Sequence, residues 1–183
     1  MENKAACNTG NPDIVRLLLQ YGADTTFQGA GRLDNCLNAA VTNGHCKVVQ
    51  ILLDAGVSPN FVGDQAMPPI LKVCFFYYRS DWPYDDVTKV LLEHGADPNA
   101  VVLADKALPD FPAFTPDSLR TLGDINAIQF ANLAQSKMLL EKGADVNHQS
   151  QNGLYPAPLY YAVRKEDLEL VNLLLENGES HDG

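Results

Sequence analysis

The chain has 183 residues, 46% apolar and 20% charged, with a formal net charge of −10. That composition excludes a disordered polymer, and without a basic stripe the chain is not expected to grip nucleic-acid phosphates. No apolar run approaches the ~18 residues of a membrane helix, the N-terminus lacks a signal peptide's layout, and four cysteines form no C-x-x-C pair, so an intracellular, cytoplasmic protein with no membrane insertion is expected.

In chain order, one local pattern recurs five times. It opens as Leu18-Leu19-Gln20-Tyr21-Gly22-Ala23-Asp24, then Leu52-Leu53-Asp54-Ala55-Gly56-Val57-Ser58-Pro59-Asn60 and Leu91-Leu92-Glu93-His94-Gly95-Ala96-Asp97-Pro98-Asn99. Leu139-Leu140-Glu141-Lys142-Gly143-Ala144-Asp145-Val146-Asn147 follows, and Leu174-Leu175-Glu176-Asn177-Gly178 closes the series. Each reads as the end of an amphipathic helix: a buried Leu pair, two mostly polar residues, then Gly in the left-handed position that a Cβ resists. The glycines are separated by 34, 39, 48 and 35 positions. A period just over 33 residues, with insertions, implies stacked supersecondary units rather than one central core.

A shorter helix precedes each Leu-rich one. The first repeat has Ala5-Ala6-Cys7, a turn at Thr9-Gly10-Asn11-Pro12, and an outer helix from Asp13 to Tyr21. Pro in the first turn and a carboxylate at the positive end of the dipole favour that entry. The second has Cys36-Leu37-Asn38-Ala39-Ala40-Val41, the turn Thr42-Asn43-Gly44-His45, and Lys47 to Leu53 with apolar residues at helical spacing.

At this point the pattern Ala-Ala/Val-x-x-Gly-His-x-x-Val-Val-x-x-Leu-Leu-x-x-Gly-Ala-Asp-x-Asn resembles the ankyrin repeat. The resemblance implies an all-α, ankyrin-type solenoid of helix-turn-helix repeats with short β-turn and hairpin loops. It covers the chain as a single domain over 1–183, with repeats near 1–29, 33–63, 66–100, 115–149 and 152–180. The family opens each inner helix with Thr-Pro-Leu-His; here the matching positions are Asn35-Cys36-Leu37-Asn38, Pro68-Pro69-Ile70-Leu71 and Ala157-Pro158-Leu159-Tyr160. Loss of that hydrogen-bonding set predicts a stack less stable than a consensus one, weakest at repeat 4.

Repeat 3 carries six extra residues. Its inner helix is expected over Ile70 to Tyr78, followed by Arg79 to Tyr84, with Asp85 and Asp86 in the first turn of the outer helix. Trp82-Pro83-Tyr84 either packs on this enlarged repeat or offers a second contact. About 15 further residues are inserted within 101–121, where Pro109, Pro112 and Pro116 break helix continuity. Repeat 4 is then read as an inner helix near Asp124 to Phe130 and an outer helix near Ala134 to Glu141. Repeat 5 returns to form at Pro158 to Val163 and Asp167 to Leu175. Both ends look cut rather than finished, as in an excerpt from a longer array.

No catalytic, cofactor or metal site is expected. No nucleophile, His and acid stand at legible spacing, no Gly-rich loop follows a strand, and the histidines are scattered. Cys7 and Cys74 take the family's second small position and read as buried hydrophobes, Cys36 and Cys46 as partly exposed. Asn60, Asn99 and Asn147 match an Asn that some asparaginyl hydroxylases modify in such repeats; bridging backbone in the turn is the other reading.

The resemblance implies a binding surface. In ankyrin-like stacks the last inner-helix residues face the groove, here Asn8-Thr9, Thr42-Asn43, Phe75-Phe76, Gln129-Phe130 and Arg164-Lys165. Phenylalanines there mark an interaction site, or else the 101–121 insertion folds back and covers them with Phe111 and Phe114. Finger loops add Phe27, Arg32, Phe61, Asp64, Gln65, Met67 and Tyr155. The expected protein is therefore a non-catalytic interaction module, adaptor or scaffold, binding another protein and monomeric or part of a longer chain. A regulatory or targeting segment of a larger enzyme, channel or effector is the alternative, and an enzyme in its own right a third. The acid excess fits either solubility or an acidic docking face.

Overall fold

The structure, a computed structural model, describes residues 2–23, 36–61, 67–75, 84–103, 124–148 and 157–178. They fall into two compact units, residues 1–96 and 97–183.

The first unit consists of helical hairpins: α1 (Glu2–Thr9) with α2 (Pro12–Gln20), α3 (Cys36–Thr42) with α4 (Cys46–Asp54), and α5 (Pro69–Phe75) with α6 (Tyr84–Glu93). The short inner helices α1, α3 and α5 lie side by side, and the outer helices α2, α4 and α6 form a second layer. Between the layers sit Leu37, Ala40, Val41, Val48, Val49, Leu52, Ile70, Leu71, Val73, Val87 and Leu91, all fully buried. Each apolar stripe recurs every three to four residues, so a hairpin can bury its face only against the next one. Helix entry is encoded locally: Asn11 accepts from the Asp13 and Ile14 amides at the start of α2, with Pro12 in the first turn.

The outer helices end alike. The five glycines that close the Leu-rich pattern have φ between 76° (Gly22) and 89° (Gly56). At Gly56 the pattern is complete: its own amide donates to the Leu53 carbonyl at 2.9 Å, and the next amide, of Val57, reaches back to Leu52 at 3.1 Å. This paired closure satisfies helix-end carbonyls that would otherwise be orphaned. Beyond three of these caps, those at Gly56, Gly95 and Gly143, an Asn ties one turn to the next cap. Asn60 donates from Nδ2 to the Gly95 carbonyl at 2.9 Å within the first unit. Within the second, Asn99 does the same to Gly143 (2.9 Å) while accepting from the Asp145 amide (2.7 Å), and Asn147 reaches Gly178 at 3.3 Å. Backbone bridging is thus the role these side chains perform.

The second unit contains β1 (Val101–Leu103), β2 (Asp124–Asn126), α7 (Leu133–Glu141), α8 (Pro158–Arg164) and α9 (Leu168–Glu176). The strands are antiparallel with Val102 opposite Ile125, so a two-stranded ladder closes the base of the inserted segment; residues 104–123 lie outside those described. The inner helix expected over Asp124 to Phe130 does not form. Residues 124–126 are strand, and 127–130 make a single turn. The cause is local chemistry. Gln129 Oε1 accepts from the Asn126 amide at 2.9 Å, and Asn126 Oδ1 accepts from the Gln129 amide at 3.3 Å, so side chains take the bonds a helix would need. Asn132 and Gln135 then form a reciprocal capping box that starts α7.

Two further boundaries shift. The helix α1 runs from Glu2, longer than the three-residue stub expected. The helix α5 is described to Phe75, while 76–83 lie outside the described residues. Tyr84 is buried and donates to the Thr42 carbonyl at 3.3 Å, so it packs on the repeat rather than offering a contact.

Candidate protein-recognition surface

In the first unit the inner-helix turns come together as a polar ridge. Asn8 and Thr9 end α1; Thr42 and Asn43 end α3. His45 Nε2 donates to the Asn8 carbonyl at 2.9 Å, and Asn43 Nδ2 lies 3.4 Å from Asn8 Oδ1 while donating to the Ala39 carbonyl at 2.8 Å. Thr9 and Thr42 hydroxyls return to carbonyls one turn back. The Thr9, Thr42 and Asn43 side chains are therefore anchored to backbone, Asn8 is held through its own carbonyl, and each keeps a solvent-facing edge: Asn8 and Thr9 are exposed, Thr42 and Asn43 half-buried. The turn between α1 and α2 is held close to this ridge. Gly10 has φ 73°, and a Cβ there would meet the His45 ring.

In the second unit the equivalent end of α8 is cationic and aromatic. Lys165 Nζ lies 4.5 Å from the centroid of Tyr161, within cation–π range, and burial pushes its pKa down. Tyr161 in turn meets Phe130 edge to face, with ring centroids 5.6 Å apart. Arg164 is exposed beside it. Glu166 and Asp167 follow directly, so the cations stand beside two carboxylates.

The expected contact residues separate into groups. Thr42, Asn43 and Arg164 are accessible, and Phe61 is half-buried in the turn after α4. Met67, Phe75, Gln129 and Phe130 are buried, which corrects the expectation that they stand on a surface. Phe130 is withdrawn by its packing on Tyr161, and Gln129 by its bonds to Asn126. Phe27, Arg32, Asp64, Gln65, Phe76 and Tyr155 lie outside the described residues, as do Phe111 and Phe114. Cys36 is also buried, against expectation, where its thiol pairs with that of Cys7; this contact and burial push the Cys7 pKa far up. Cys7 and Cys74 are buried and Cys46 is partly exposed, as expected. Tyr161 was not anticipated, although its place one turn before Arg164-Lys165 in a short amphipathic helix was a usable signal.

Among the described residues, no three His, Cys, Asp or Glu side chains gather into a metal site, and no helix is long and apolar enough to cross a membrane.

Comparison with known proteins agrees with this geometry. Residues 4–66 match a family model for ankyrin repeats in three copies, and residues 125–175 match a second ankyrin model built from many copies. The chain is 26% identical over 186 residues to potassium channel AKT2/3 of Arabidopsis thaliana, covering 92% of this chain and 22% of the channel. It is 26% identical over 160 residues to a putative ankyrin repeat protein, FPV014, of fowlpox virus (strain NVSL), covering 87% and 31%. The chain thus spans less than a third of the length of either relative.

Proposed function

The chain belongs to the ankyrin-repeat family, and from that premise we propose that it is a non-catalytic protein–protein interaction module presenting its inner-helix turns to a partner protein. The observation that carries this reading is the ridge of Asn8, Thr9, Thr42 and Asn43. Thr9, Thr42 and Asn43 are fixed to backbone carbonyls, and Asn8 Oδ1 faces the Asn43 amide, before any partner arrives. A surface held in this way loses little ordering entropy on binding. In the second unit Arg164, Lys165 and Tyr161 supply a cation and an aromatic face, side-chain types that dominate interface energetics. Phe61 adds an apolar finger contact.

The family is typically non-catalytic, and four cysteines held as thiols rather than disulfides support an intracellular, reducing setting. A second reading, as a recognition segment of a larger polypeptide, is favoured by one observation: 92% of the chain aligns with only 22% of a potassium channel.

The test is affinity capture with surface variants. Thr42→Arg with Asn43→Arg, and separately Arg164→Glu with Lys165→Glu, are expected to reduce partner recovery at least tenfold while leaving the melting temperature within a few degrees. Undiminished recovery by both double variants would overturn the proposed surface. Phe75 and Phe130 are unsuitable for this experiment, because burial makes their substitution a test of folding.

A further inference from the structure

Two residues beyond the capping glycine the sequence places Asp24, Asp97 and Asp145, but serine in repeats 2 and 5, as Ser58 and Ser180. Asp97 and Asp145 do the same work. Each Oδ1 accepts from the amide of the Asn two residues on, Asn99 and Asn147, at 2.9 Å in both turns. In repeat 2 Ser58 Oγ takes that place, with the Asn60 amide 3.3 Å away. A neutral hydroxyl therefore stands where the other turns use a charge-assisted bond, and its bond is the longer one. The turn matters to the stack, because the Asn60 side chain is the tie to the Gly95 carbonyl. Ser58 is exposed, as Asp97 and Asp145 are, and Pro59 follows it. The Phe61 amide closes the turn on the Ser58 carbonyl at 3.3 Å, with Pro59 in the position a β-turn favours.

We propose that Ser58 is a phosphorylation site for a proline-directed kinase, and that the phosphate restores the anion that Asp97 and Asp145 supply in their turns. The γ-phosphoryl group of ATP moves to Ser58 Oγ: the new P–O bond forms as the bond to ADP breaks, and the hydroxyl proton passes to the base of the kinase. Pro59 has no amide hydrogen to satisfy at the position after the acceptor, the feature by which such kinases choose a serine. The bond closing the turn is long for an amide donor, so the exposed segment opens locally to the extended form that a kinase cleft holds. Once in place, the phosphate offers strong acceptor oxygens to the Asn60 amide and fixes the turn that carries the tie to Gly95. An anion just beyond the C-terminus of α4 meets the negative end of the helix dipole. The position nevertheless accepts one, since Asp97 and Asp145 stand in the same register after α6 and α7.

The test is to incubate the 183-residue chain with a cyclin-dependent kinase and ATP, and to map the phosphate by peptide mass spectrometry. Thr115-Pro116, the chain's other hydroxyl residue followed by proline, is mapped alongside as the internal comparison. Ser58 is expected to carry phosphate in most molecules. Amide exchange at Asn60, followed by NMR, is expected to slow about threefold or more in the phosphorylated chain, as a neutral bond becomes charge-assisted. Ser58→Asp, which writes the residue of the other turns at an exposed position, should slow it in the same direction without any kinase, and Ser58→Ala should speed it. A chain left unmodified at Ser58, whether or not Thr115 is labelled, overturns the site. Phosphate on Ser58 with Asn60 exchange unchanged or faster overturns the role assigned to it.

Discussion

Repeat 2 and repeat 4 both deliver a capped outer helix, yet they support it by different means. Beneath α4 lies α3, whose Leu37, Ala40 and Val41 are fully buried and apolar. In repeat 4 the described residues before α7 form β2 and a turn in which Asn126 and Gln129 are buried and bonded to each other's backbone. Ser136 and Gln135 add more polar groups to the buried side of α7. The comparison teaches that the capped outer helix can be kept while the layer beneath it changes from dispersion-packed helix to a hydrogen-bonded turn. The price is sensitivity to any single lost bond, since buried polar groups are costly when unpaired.

The sharpest way to break the comparison is to cut each repeat at its own support. Leu52→Ala, at a fully buried position in the first unit, is expected to cost about 2–5 kcal/mol in urea titration, by lost transfer energy and the cavity left behind. Gln129→Ala strands the buried Asn126 amide and is expected to cost about 1–3 kcal/mol. If Gln129→Ala were neutral, the hydrogen-bonded turn would not be what holds repeat 4.

A smaller and opposite effect separates the turns after α3 and α8. Both close with the same paired bonds: His45 to Ala40 and Gly44 to Val41 in one, Asp167 to Ala162 and Glu166 to Val163 in the other. Gly44 sits at φ 64°, but the equivalent residue in repeat 5 is Glu166 at φ 57°. Left-handed backbone costs a residue with a side chain about 1–2 kcal/mol, and glycine returns part of that through a freer unfolded chain. Glu166→Gly is therefore expected to stabilise the second unit by about 0.5–1 kcal/mol, read as a rise in urea midpoint.

The smallest expected effect is pH-dependent and belongs to the first unit. His94 Nδ1 donates to the Val90 carbonyl at 2.9 Å, and Nε2 lies 3.2 Å from Asp54 Oδ1. With Nδ1 committed to a carbonyl, only the protonated ring can also donate to Asp54. The Val90 carbonyl, more than Asp54, holds the His94 pKa above its usual 6.5; burial opposes it, and Glu93 adds to the rise. Gln50 first, then His94, with a weaker pull from Lys47, holds Asp54 below its usual 3.8. The His94 contribution is thus complete below pH 6.5 and lost as pH rises through the raised folded value. The Asp54 contribution is complete above 3.8 and lost as pH falls further. Stability measured from pH 5 to 8 should decline slightly on the alkaline side, and His94→Gln should flatten that decline.

What could be read from the chain was the part governed by neighbours in sequence. The five glycine caps, the Asn11 and Pro12 helix entry and the acidic first turn of α6 follow from chemistry within four or five residues. The finger asparagines were legible as well, because their bridging depends on a repeated register. Repeat 4 was not: Asp124 to Phe130 has helical composition, and only the pairing of β2 with β1, across more than 20 residues, together with Asn126–Gln129, decides against a helix. Exposure was legible where the side chains are polar, at Thr42, Asn43 and Arg164. It was misread at Phe75 and Phe130, because burial depends on partners such as Tyr161 that are remote in sequence.

Hydrogen–deuterium exchange of the chain alone and bound to the partner recovered by capture tests the recognition surface most directly. The account predicts added protection concentrated at the turns 8–11 and 42–45 and at the end of α8 around 161–165. Protection confined to the outer helices α2, α4 and α9, with those turns unchanged, would contradict it.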